Sequence, residues 1–268
     1  MYRQRFGLTG HPFPQDARGK TFFETPEYKK LARRFQLLAA EPGIGVLTAD
    51  SGVGKTAAIR NLCTGLPRPD HKVCYLCDTA TSPLELYRQL ARELGLAPCY
   101  RRGQLWHELK KTLVQMVDEH GIRPLVIIDE AQHLSERFLG DLSGFVNFQM
   151  DSRSLLTLWL VGQPQLRSVV RMKHHASLAS RITTAVHLEP ISDRKVFAKF
   201  LTHGLKAAGA SSNLFADSVV ELLFRSSRGV PRVVSRLVRE ALMLAHEQDK
   251  NFVDDAVLEA VLDEEELA

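Results

Sequence analysis

Strand-like apolar runs alternate with segments of helical periodicity through most of the chain. Strands are predicted at 44–49, 72–77, 124–129, 155–161 and 185–188. Helices are predicted before and between them, at 26–40, 55–64, 82–94, 104–119, 137–149 and 164–170. Because strands that alternate with helices form a parallel sheet wrapped on both sides by helices, the pattern predicts an α/β fold.

From Asp193 onward the hydrophobic pattern has helical periodicity only. Helices are predicted there at 193–208, 215–227, 231–247 and 253–264. A boundary near Ser192 therefore separates an α/β domain, residues 41–192, from a small all-helical lid domain, residues 193–268. Residues 1–40 are predicted to be an N-terminal segment, rich in aromatic side chains, that packs on the α/β domain.

A glycine-containing turn follows the first predicted strand and leads into a helix, in the stretch Ala49-Asp50-Ser51-Gly52-Val53-Gly54-Lys55-Thr56. This order is typical of a phosphate-binding loop, whose backbone amides surround a phosphate at the positive end of the helix. Lys55 is expected to reach the β- and γ-phosphates of ATP, and Thr56 to place its hydroxyl on Mg²⁺. The usual pattern opens with glycine where this chain has Ala49. The predicted nucleotide-binding residues are Ser51, Gly52, Val53, Gly54, Lys55, Thr56 and Ala57.

Two adjacent carboxylates end the apolar strand that begins at Leu125. The carboxyl ends of parallel strands are where ligands bind in open α/β sheets. Asp129 is therefore expected to hold Mg²⁺, directly or through water. Glu130 is expected to polarise the attacking water as the general base of ATP hydrolysis. The sequence thus predicts a magnesium-dependent ATPase.

Composition and charge agree with a soluble enzyme. The 268 residues are 44% hydrophobic and 25% charged, and no apolar run approaches the roughly twenty residues that cross a membrane. We therefore expect a cytoplasmic protein without membrane contact. From Gln248 onward eight acids face one base, a balance of −7, so the remainder of the chain carries 4 + 7 = +11. This excess is suited to the phosphates of a nucleic acid, although surface lysines and arginines also serve solubility.

Four cysteines do not indicate a disulfide framework in a chain of this length. Cys74 and Cys77 form a Cys-x-x-Cys within a predicted strand, where their odd spacing places them on opposite faces of a sheet. We therefore favour core packing for these cysteines over a metal site.

Several motifs in order resemble those of the AAA+ ATPases, in particular the ExeA-like branch. That branch includes a type II secretion ATPase and the TnsC- and MuB-like regulators of DNA transposition. The matching stretches are Met1-Tyr2 with Phe6-Gly7-Leu8 and Pro12-Phe13, Asp129-Glu130-Ala131-Gln132-His133-Leu134, Leu160-Val161-Gly162-Gln163-Pro164-Gln165-Leu166, Leu178-Ala179-Ser180-Arg181-Ile182 and Gly229-Val230-Pro231-Arg232. The resemblance covers nearly the whole chain and implies a P-loop NTPase fold.

The resemblance implies roles for polar residues beyond the phosphate loop. Gln163 resembles the sensor that contacts the γ-phosphate or the attacking water. Arg181 lies where the branch places an arginine finger, which reaches the ATP of a neighbouring subunit, and Arg171 is a competing candidate. Arg232, at the start of a lid helix, resembles the second sensor that folds onto the phosphates.

The resemblance also implies a choice between two tasks. The secretion ATPases carry a membrane-spanning and a cell-wall-binding part, for which this sequence has no segment, so we expect a transposition regulator. Such a protein forms an ATP-bound ring or filament on double-stranded DNA, recruits a separate transposase, with or without target-selection proteins, and is released by hydrolysis. Arg101 and Arg102 lie where initiator-like relatives present DNA-contacting residues, so Arg101, Arg102 and Gln104 are the first candidates for DNA binding, and a solvated basic turn is the alternative. Contacts to the DNA backbone would tolerate any sequence. The alternative is a cytoplasmic assembly ATPase that acts on protein partners.

Overall fold

Five parallel strands form the sheet that the alternating pattern predicts. The computed structural model describes residues 2–210 and 213–266. The strands are β1 Ile44–Ala49, β2 His71–Leu76, β3 Arg123–Ile128, β4 Thr157–Gly162 and β5 Ile182–Leu188. All pairings in the sheet are parallel, in the order β2-β3-β4-β1-β5. The predicted α/β fold is confirmed.

The strand order changes direction at β1. After β1 the chain passes to the far edge of the sheet, returns through β3 to β4 next to β1, and then continues to β5 on the other side. In open α/β sheets, ligands bind outside the carboxyl ends of the strands at such a switch point. The residues that follow β1, β3 and β4 in the chain are therefore the ones positioned for chemistry.

Helices account for most of the remaining chain. In order they are α1 Tyr2–Arg5, α2 Pro26–Ala40, α3 Lys55–Thr64, α4 Pro83–Glu93, α5 Arg102–Asp118, α6 Glu136–Phe145, α7 Gln165–Val170, α8 Ala176–Ala179, α9 Arg194–Ala207, α10 Asp217–Ser227, α11 Pro231–Glu247 and α12 Asp255–Glu266. Most of the predicted helices agree to within a few residues. Only helices follow β5 within the described residues, which confirms the helical C-terminal part.

Two of the differences between predicted and observed helix bounds have a cause in the backbone. Helix α5 begins at Arg102 rather than at 104, because Arg101 is its extended N-cap and Gly103 is accommodated in the first turn. Helix α6 ends at Phe145 rather than at 149. The three consecutive residues 149–151 have left-handed backbones, with φ of 48°, 57° and 65°, and such a run cannot continue a right-handed helix.

Two compact units divide the chain. In the described residues, the helical unit comprises the chain up to Glu27, Ser51–Asn61 and the chain from Glu189 onward. The sheet unit comprises Tyr28–Asp50 and Leu62–Leu188. The phosphate-loop segment therefore belongs to the same unit as the C-terminal helices, while the acidic pair belongs to the sheet unit. The unit boundary at Leu188 lies close to the predicted domain boundary at Ser192.

The predicted N-terminal segment 1–40 is divided between the two units. Phe6 and Leu8 belong to the buried core that α9 to α12 share, and the Phe13 ring lies 4.8 Å from that of Phe200. Helix α2 belongs to the sheet unit, where Phe35 stacks on Trp159 with ring centres 5.8 Å apart. The aromatic side chains of the first part thus complete the apolar face of the C-terminal helices, while α2 packs within the sheet unit.

The two cysteines of the Cys-x-x-Cys motif have different environments. Cys74 lies in β2 and is fully buried, as core packing requires. The same prediction is wrong for Cys77, which is exposed because β2 ends at Leu76. None of the helices in the described part of the chain combines the length and the apolar character needed to cross a bilayer.

His175 is a buried histidine of the sheet unit whose ring contacts that of His174. It is 3% exposed, and neither ring nitrogen has a hydrogen-bond partner among the described residues. Burial is the main cause that lowers the pKa of His175. The adjacent His174 lowers it further, and Glu136 acts in the opposite direction. The folded protein therefore holds this imidazole neutral at pH values where the unfolded chain would protonate it.

We expect His175 to make the protein less stable in acid. The unfolded chain binds a proton near the ordinary histidine pKa of about 6.5, and the folded chain only at lower pH. The stability of the folded protein is therefore unaffected by His175 above the unfolded-chain pKa of about 6.5, and it decreases as the pH falls below that pKa. Urea unfolding at about pH 7.5 and about pH 5.5 should show a smaller acid loss in His175→Leu than in wild type. Equal losses of unfolding free energy in His175→Leu and in wild type would show that His175 does not cause the acid sensitivity. His120→Asn, which changes an exposed histidine, is the control and should lose as much as wild type.

Candidate functional site

The predicted phosphate loop connects β1 to α3. Gly52 and Gly54 have φ of +82° and +108°, conformations that residues with a side chain rarely adopt. Helix α3 begins at Lys55, whose side chain is largely buried, and Thr56 follows in its first turn. The loop thus has the glycine geometry and the helix start that a phosphate-binding turn needs.

Arg232 lies on this loop within the helical unit. Its Nη1 donates to Ser51 Oγ at 3.2 Å, and its backbone N–H donates to the Gly52 carbonyl at 3.2 Å. A Cβ at Gly52 would lie 3.0 Å from side-chain atoms of both Arg232 and Val230. Three predicted nucleotide-binding residues, Ser51, Gly52 and Arg232, are therefore in mutual contact.

Asp129 is a buried carboxylate directly after β3. It is 3% exposed, and its backbone N–H donates to the Leu76 carbonyl at 2.8 Å. Tyr75 Oη donates to Asp129 Oδ2 at 2.9 Å. The pKa of Tyr75 is raised, first by burial and then by the charge and the hydrogen bond of Asp129. Tyr75 therefore stays a donor and keeps the carboxylate in one orientation.

Glu130 has a left-handed backbone, with φ of 51°. Thr79 Oγ1 donates to the Glu130 carbonyl at 2.9 Å, and the Glu130 N–H donates to Asp129 Oδ1 at 2.9 Å. On the side chain, Gln132 Nε2 donates to Glu130 Oε2 at 2.6 Å. Such a backbone conformation in a residue with a long side chain costs free energy and persists where its surroundings hold it.

Gln163 takes part in this arrangement through its backbone. It follows β4, and its N–H donates to Gln132 Oε1 at 2.9 Å. Its side-chain amide has no hydrogen bond within the described residues. The sheet unit thus brings Asp129, Glu130 and Gln163 together, with Gln132 between the last two.

The two candidate arginine fingers have different surroundings. Arg181 Nη2 pairs with Asp151 Oδ2 at 2.7 Å, and Arg181 Nη1 donates to the hydroxyl and the carbonyl of Ser177 at 2.8 Å. Arg171 caps the C-terminus of α7 and is exposed, with no ion pair in the described part of the chain. The choice between them stays a prediction.

The three predicted DNA-binding residues lie at the start of α5. Arg102 Nη2 pairs with Asp141 Oδ2 at 2.7 Å, and its guanidinium lies 5.0 Å from the centre of the Trp106 ring. Arg101 and Gln104 are exposed, and the Arg101 side chain has no ion pair within residues 2–210 and 213–266. The charge of Arg101 is thus available to a ligand, while that of Arg102 is partly neutralised.

Sequence reasoning missed Tyr75, Thr79 and Gln132. Tyr75 reaches Asp129 because β2 pairs with β3 in the register Tyr75↔Ile127, which periodicity does not fix. Gln132 faces Glu130 because of the left-handed turn between them. The register of β2 and the backbone turn at Glu130 carried no signal in the sequence.

Each unit by itself carries groups of the kind that bind a magnesium nucleotide. Thr56 of the helical unit has a hydroxyl and Asp129 of the sheet unit has a carboxylate, and hard oxygen groups of both kinds are ligands that Mg²⁺ prefers. Lys55 and Arg232 add positive charge on and beside the glycine loop, as phosphate oxygens require.

The chain is similar to a protein family and to two named proteins. A family model described as "AAA domain" matches residues 39–170. General secretion pathway protein A of Aeromonas hydrophila is 30% identical over 253 residues, which cover 91% of this chain and 45% of that protein. ATP-dependent target DNA activator B of Escherichia phage Mu is 27% identical over 248 residues, which cover 89% of this chain and 72% of that protein. The chain thus spans less than half the length of the secretion protein.

Solved structures have the same fold. The ADP form of the Aeropyrum pernix ORC2 protein is 15% identical with a TM-score of 0.69, covering 94% of this chain and 72% of that one. The Thermotoga maritima RuvB branch migration motor is 15% identical with a TM-score of 0.59, covering 95% of this chain and 73% of that one. At this identity the likeness concerns the fold alone.

Proposed function

We propose that the chain, as a member of the AAA+ ATPases, binds ATP together with Mg²⁺ and hydrolyses it. Lys55 and Arg232 bind the phosphate oxygens, and Thr56 and Asp129 hold the metal ion, which supplies charge neutralisation at the γ-phosphate when bound. Glu130 takes a proton from the attacking water, and Gln163 orients that water or the γ-phosphate. The arrangement of the carboxylate pair and of the glycine loop supports these roles.

We further propose that the ATP-bound protein oligomerises on double-stranded DNA and regulates transposition. The observation that carries this proposal is the similarity to the target DNA activator of phage Mu, which extends over 72% of that protein. The exposed Arg101 at the start of α5 supports it with a charge suited to a phosphate. ATP would join neighbouring subunits through Arg181 or Arg171, DNA binding would recruit a transposase, and hydrolysis would release the oligomer.

Binding of a labelled random-sequence duplex, followed by anisotropy over a salt series, tests this proposal. We expect tight binding with ATP and weaker binding with ADP or without nucleotide. Arg101→Ala should weaken ATP-dependent binding severalfold and reduce the slope of log affinity against log salt by about one, because one phosphate contact is lost. Arg102→Ala should have a smaller effect on the slope, since Asp141 already pairs with its charge.

Arg68→Ala is the matched control, since Arg68 is exposed in the turn that precedes β2. Its salt slope should equal that of wild type. Binding that is absent under every condition would contradict the DNA proposal and favour the second candidate. Binding that is equally weakened by Arg68→Ala would show that net charge, not the start of α5, accounts for affinity.

The second candidate is an assembly ATPase that acts on protein partners. The observation in its favour is the 30% identity to General secretion pathway protein A, which is higher than the identity to the phage activator. This candidate shares the ATPase chemistry above and differs only in the absence of a DNA contact. ATP hydrolysis that responds to protein partners and not to DNA would support it.

A further inference from the structure

Glu130 needs an orienting partner if it is to act as a general base. Its backbone is already fixed, because Thr79 bonds its carbonyl and Asp129 accepts its N–H. These contacts leave the rotation of the side chain undetermined. A base is efficient only when one carboxylate oxygen is directed at the proton that it removes.

Gln132 holds one oxygen of this carboxylate. Its Nε2 donates to Glu130 Oε2 at 2.6 Å, and Glu130 Oε1 has no hydrogen bond within the described residues. One oxygen is thus restrained and the other is available to water. Nucleophile-activating bases are commonly oriented by a third group in this manner.

The orientation of the Gln132 amide is itself determined by a backbone group. The N–H of Gln163 can only donate, so the atom of Gln132 that lies 2.9 Å from it must be the amide oxygen. The amide nitrogen must then face Glu130. Reversing the amide would place two donors against each other at Gln163 and two acceptors against each other at Glu130, so the direction of both bonds is fixed.

Gly162 provides the space for this amide. A Cβ at this position would lie 2.5 Å from Gln132 Oε1 and 3.3 Å from the Gln132 backbone nitrogen. Gly162 is the last residue of β4 and pairs with Thr48 of β1, so its backbone cannot move away without disturbing the sheet. A side chain there would displace Gln132 from both of its partners.

We propose that Gln132 is a positioning residue that orients the Glu130 carboxylate for hydrolysis and couples it to the end of β4 at Gln163. This inference rests on the proposed role of Glu130 as the general base. Gln132 acts through Glu130, and Gly162 is the residue that gives Gln132 its place. Movement of the Gln163 backbone is transmitted to the base through two hydrogen bonds.

Two substitutions at Gln132 test its two hydrogen bonds, one by removing both bonds and the other by removing only the bond to Glu130. Gln132→Met keeps the length of the side chain and removes both bonds. Gln132→Glu keeps an oxygen for the Gln163 N–H but replaces the donor to Glu130 by a second carboxylate. We expect each variant to lower the kcat for ATP by about tenfold or more, with the Kd for ATP and the melting temperature close to wild type.

The pH profile gives a readout that a merely structural role would not change. In Gln132→Glu two carboxylates face each other, and at low pH they can share a proton that restores a donor to Glu130. The activity of Gln132→Glu relative to wild type should therefore rise as the pH falls. Gln132→Met has no such proton, and its relative activity should stay constant.

The controls separate a failure of this inference from a failure of the proposed function. Gln165→Met, at an exposed glutamine nearby, should behave as wild type. If Glu130→Gln retains turnover, the base assignment itself is wrong, and the inference falls with it. If Glu130→Gln is inactive while Gln132→Met turns over ATP at or above the wild-type rate, only the positioning role is overturned. Loss of kcat that is matched by loss of ATP affinity and of melting temperature would also overturn it.

Discussion

Glu130→Gln is expected to lower the kcat for ATP by about two to four orders of magnitude, the contribution typical of a positioned general base. The amide cannot take up the proton of the attacking water. ATP affinity should be retained, because Lys55, Arg232 and the glycine loop lie outside the changed group. The substitution is nearly isosteric, so the left-handed backbone at this position keeps its bonds to Thr79 and Asp129.

The Glu130→Gln substitution should lower turnover but prolong assembly on DNA. If hydrolysis releases the oligomer, the Glu130→Gln protein should remain on DNA with ATP for much longer than wild type. Lys55→Ala is the contrasting variant, because loss of the phosphate-binding lysine should prevent ATP binding and therefore assembly. Single-turnover hydrolysis and the decay of DNA anisotropy after ATP is diluted measure the two effects.

An exposed carboxylate provides the control for Glu130→Gln. Glu119 follows the last residue of α5 and is exposed, so Glu119→Gln should leave hydrolysis and release unchanged. Release of the Glu130→Gln protein as quickly as wild type in ATP would exclude hydrolysis by Glu130 as the cause of release. Such a result would leave ATP binding by the glycine loop in place and would assign release to another step.

The elements of this fold were accessible from the sequence because their signals are local. The alternation of apolar runs and helical segments predicted all five strands, and the order of strand, turn and helix around Gly52 and Gly54 predicted the turn that joins β1 to α3. The acidic pair was predicted at the end of β3 for the same reason, since it interrupts an apolar run.

The features that sequence reasoning missed depend on long-range packing or on backbone conformation. The start of α5 at Arg102 depends on an extended N-cap at Arg101, where no capping side chain gives a signal. Helical periodicity predicted α6 through 149, but the left-handed run 149–151 follows its earlier end at Phe145. The contacts of Tyr75 and Gln132 with the acidic pair required the strand register and the turn at Glu130. Pattern and propensity describe neighbours in sequence, and these contacts join residues that only the folded backbone brings together.

Of the substitutions proposed here, Gly229→Ala is expected to lower the free energy of unfolding most. Gly229 has φ of +68°, and a Cβ there would lie 2.0 Å from the Ile191 carbonyl oxygen. Because this oxygen belongs to the backbone, a change of side-chain rotamer cannot remove the clash. The same two residues are joined by a hydrogen bond from the Ile191 N–H to the Gly229 carbonyl at 3.0 Å. Left-handed backbone costs an alanine about 1–2 kcal/mol, and the backbone clash adds about 1–3 kcal/mol.

Gly121→Ala isolates the conformational part of this cost. Gly121 has a similar φ of +65°, and a Cβ there would meet nothing within 4 Å. We therefore expect Gly121→Ala to lower the free energy of unfolding by about 1 kcal/mol and Gly229→Ala by about 3 kcal/mol or more. Urea unfolding measures both, and equal losses would show that the contact with Ile191 is easily relieved.

The turn at Gly229 also determines where Arg232 lies. Arg228 and Gly229 both have left-handed backbones, Pro231 begins α11 two residues later, and Arg232 then contacts the phosphate loop. A displaced turn should therefore weaken ATP binding to the same degree as Arg232→Ala does, even at temperatures where the variant is folded. If Gly229→Ala is destabilised but binds ATP as wild type does, the loop contact of Arg232 is formed independently of the turn. If both variants lose ATP affinity to the same degree, the turn at Gly229 is what positions Arg232 at the phosphate loop.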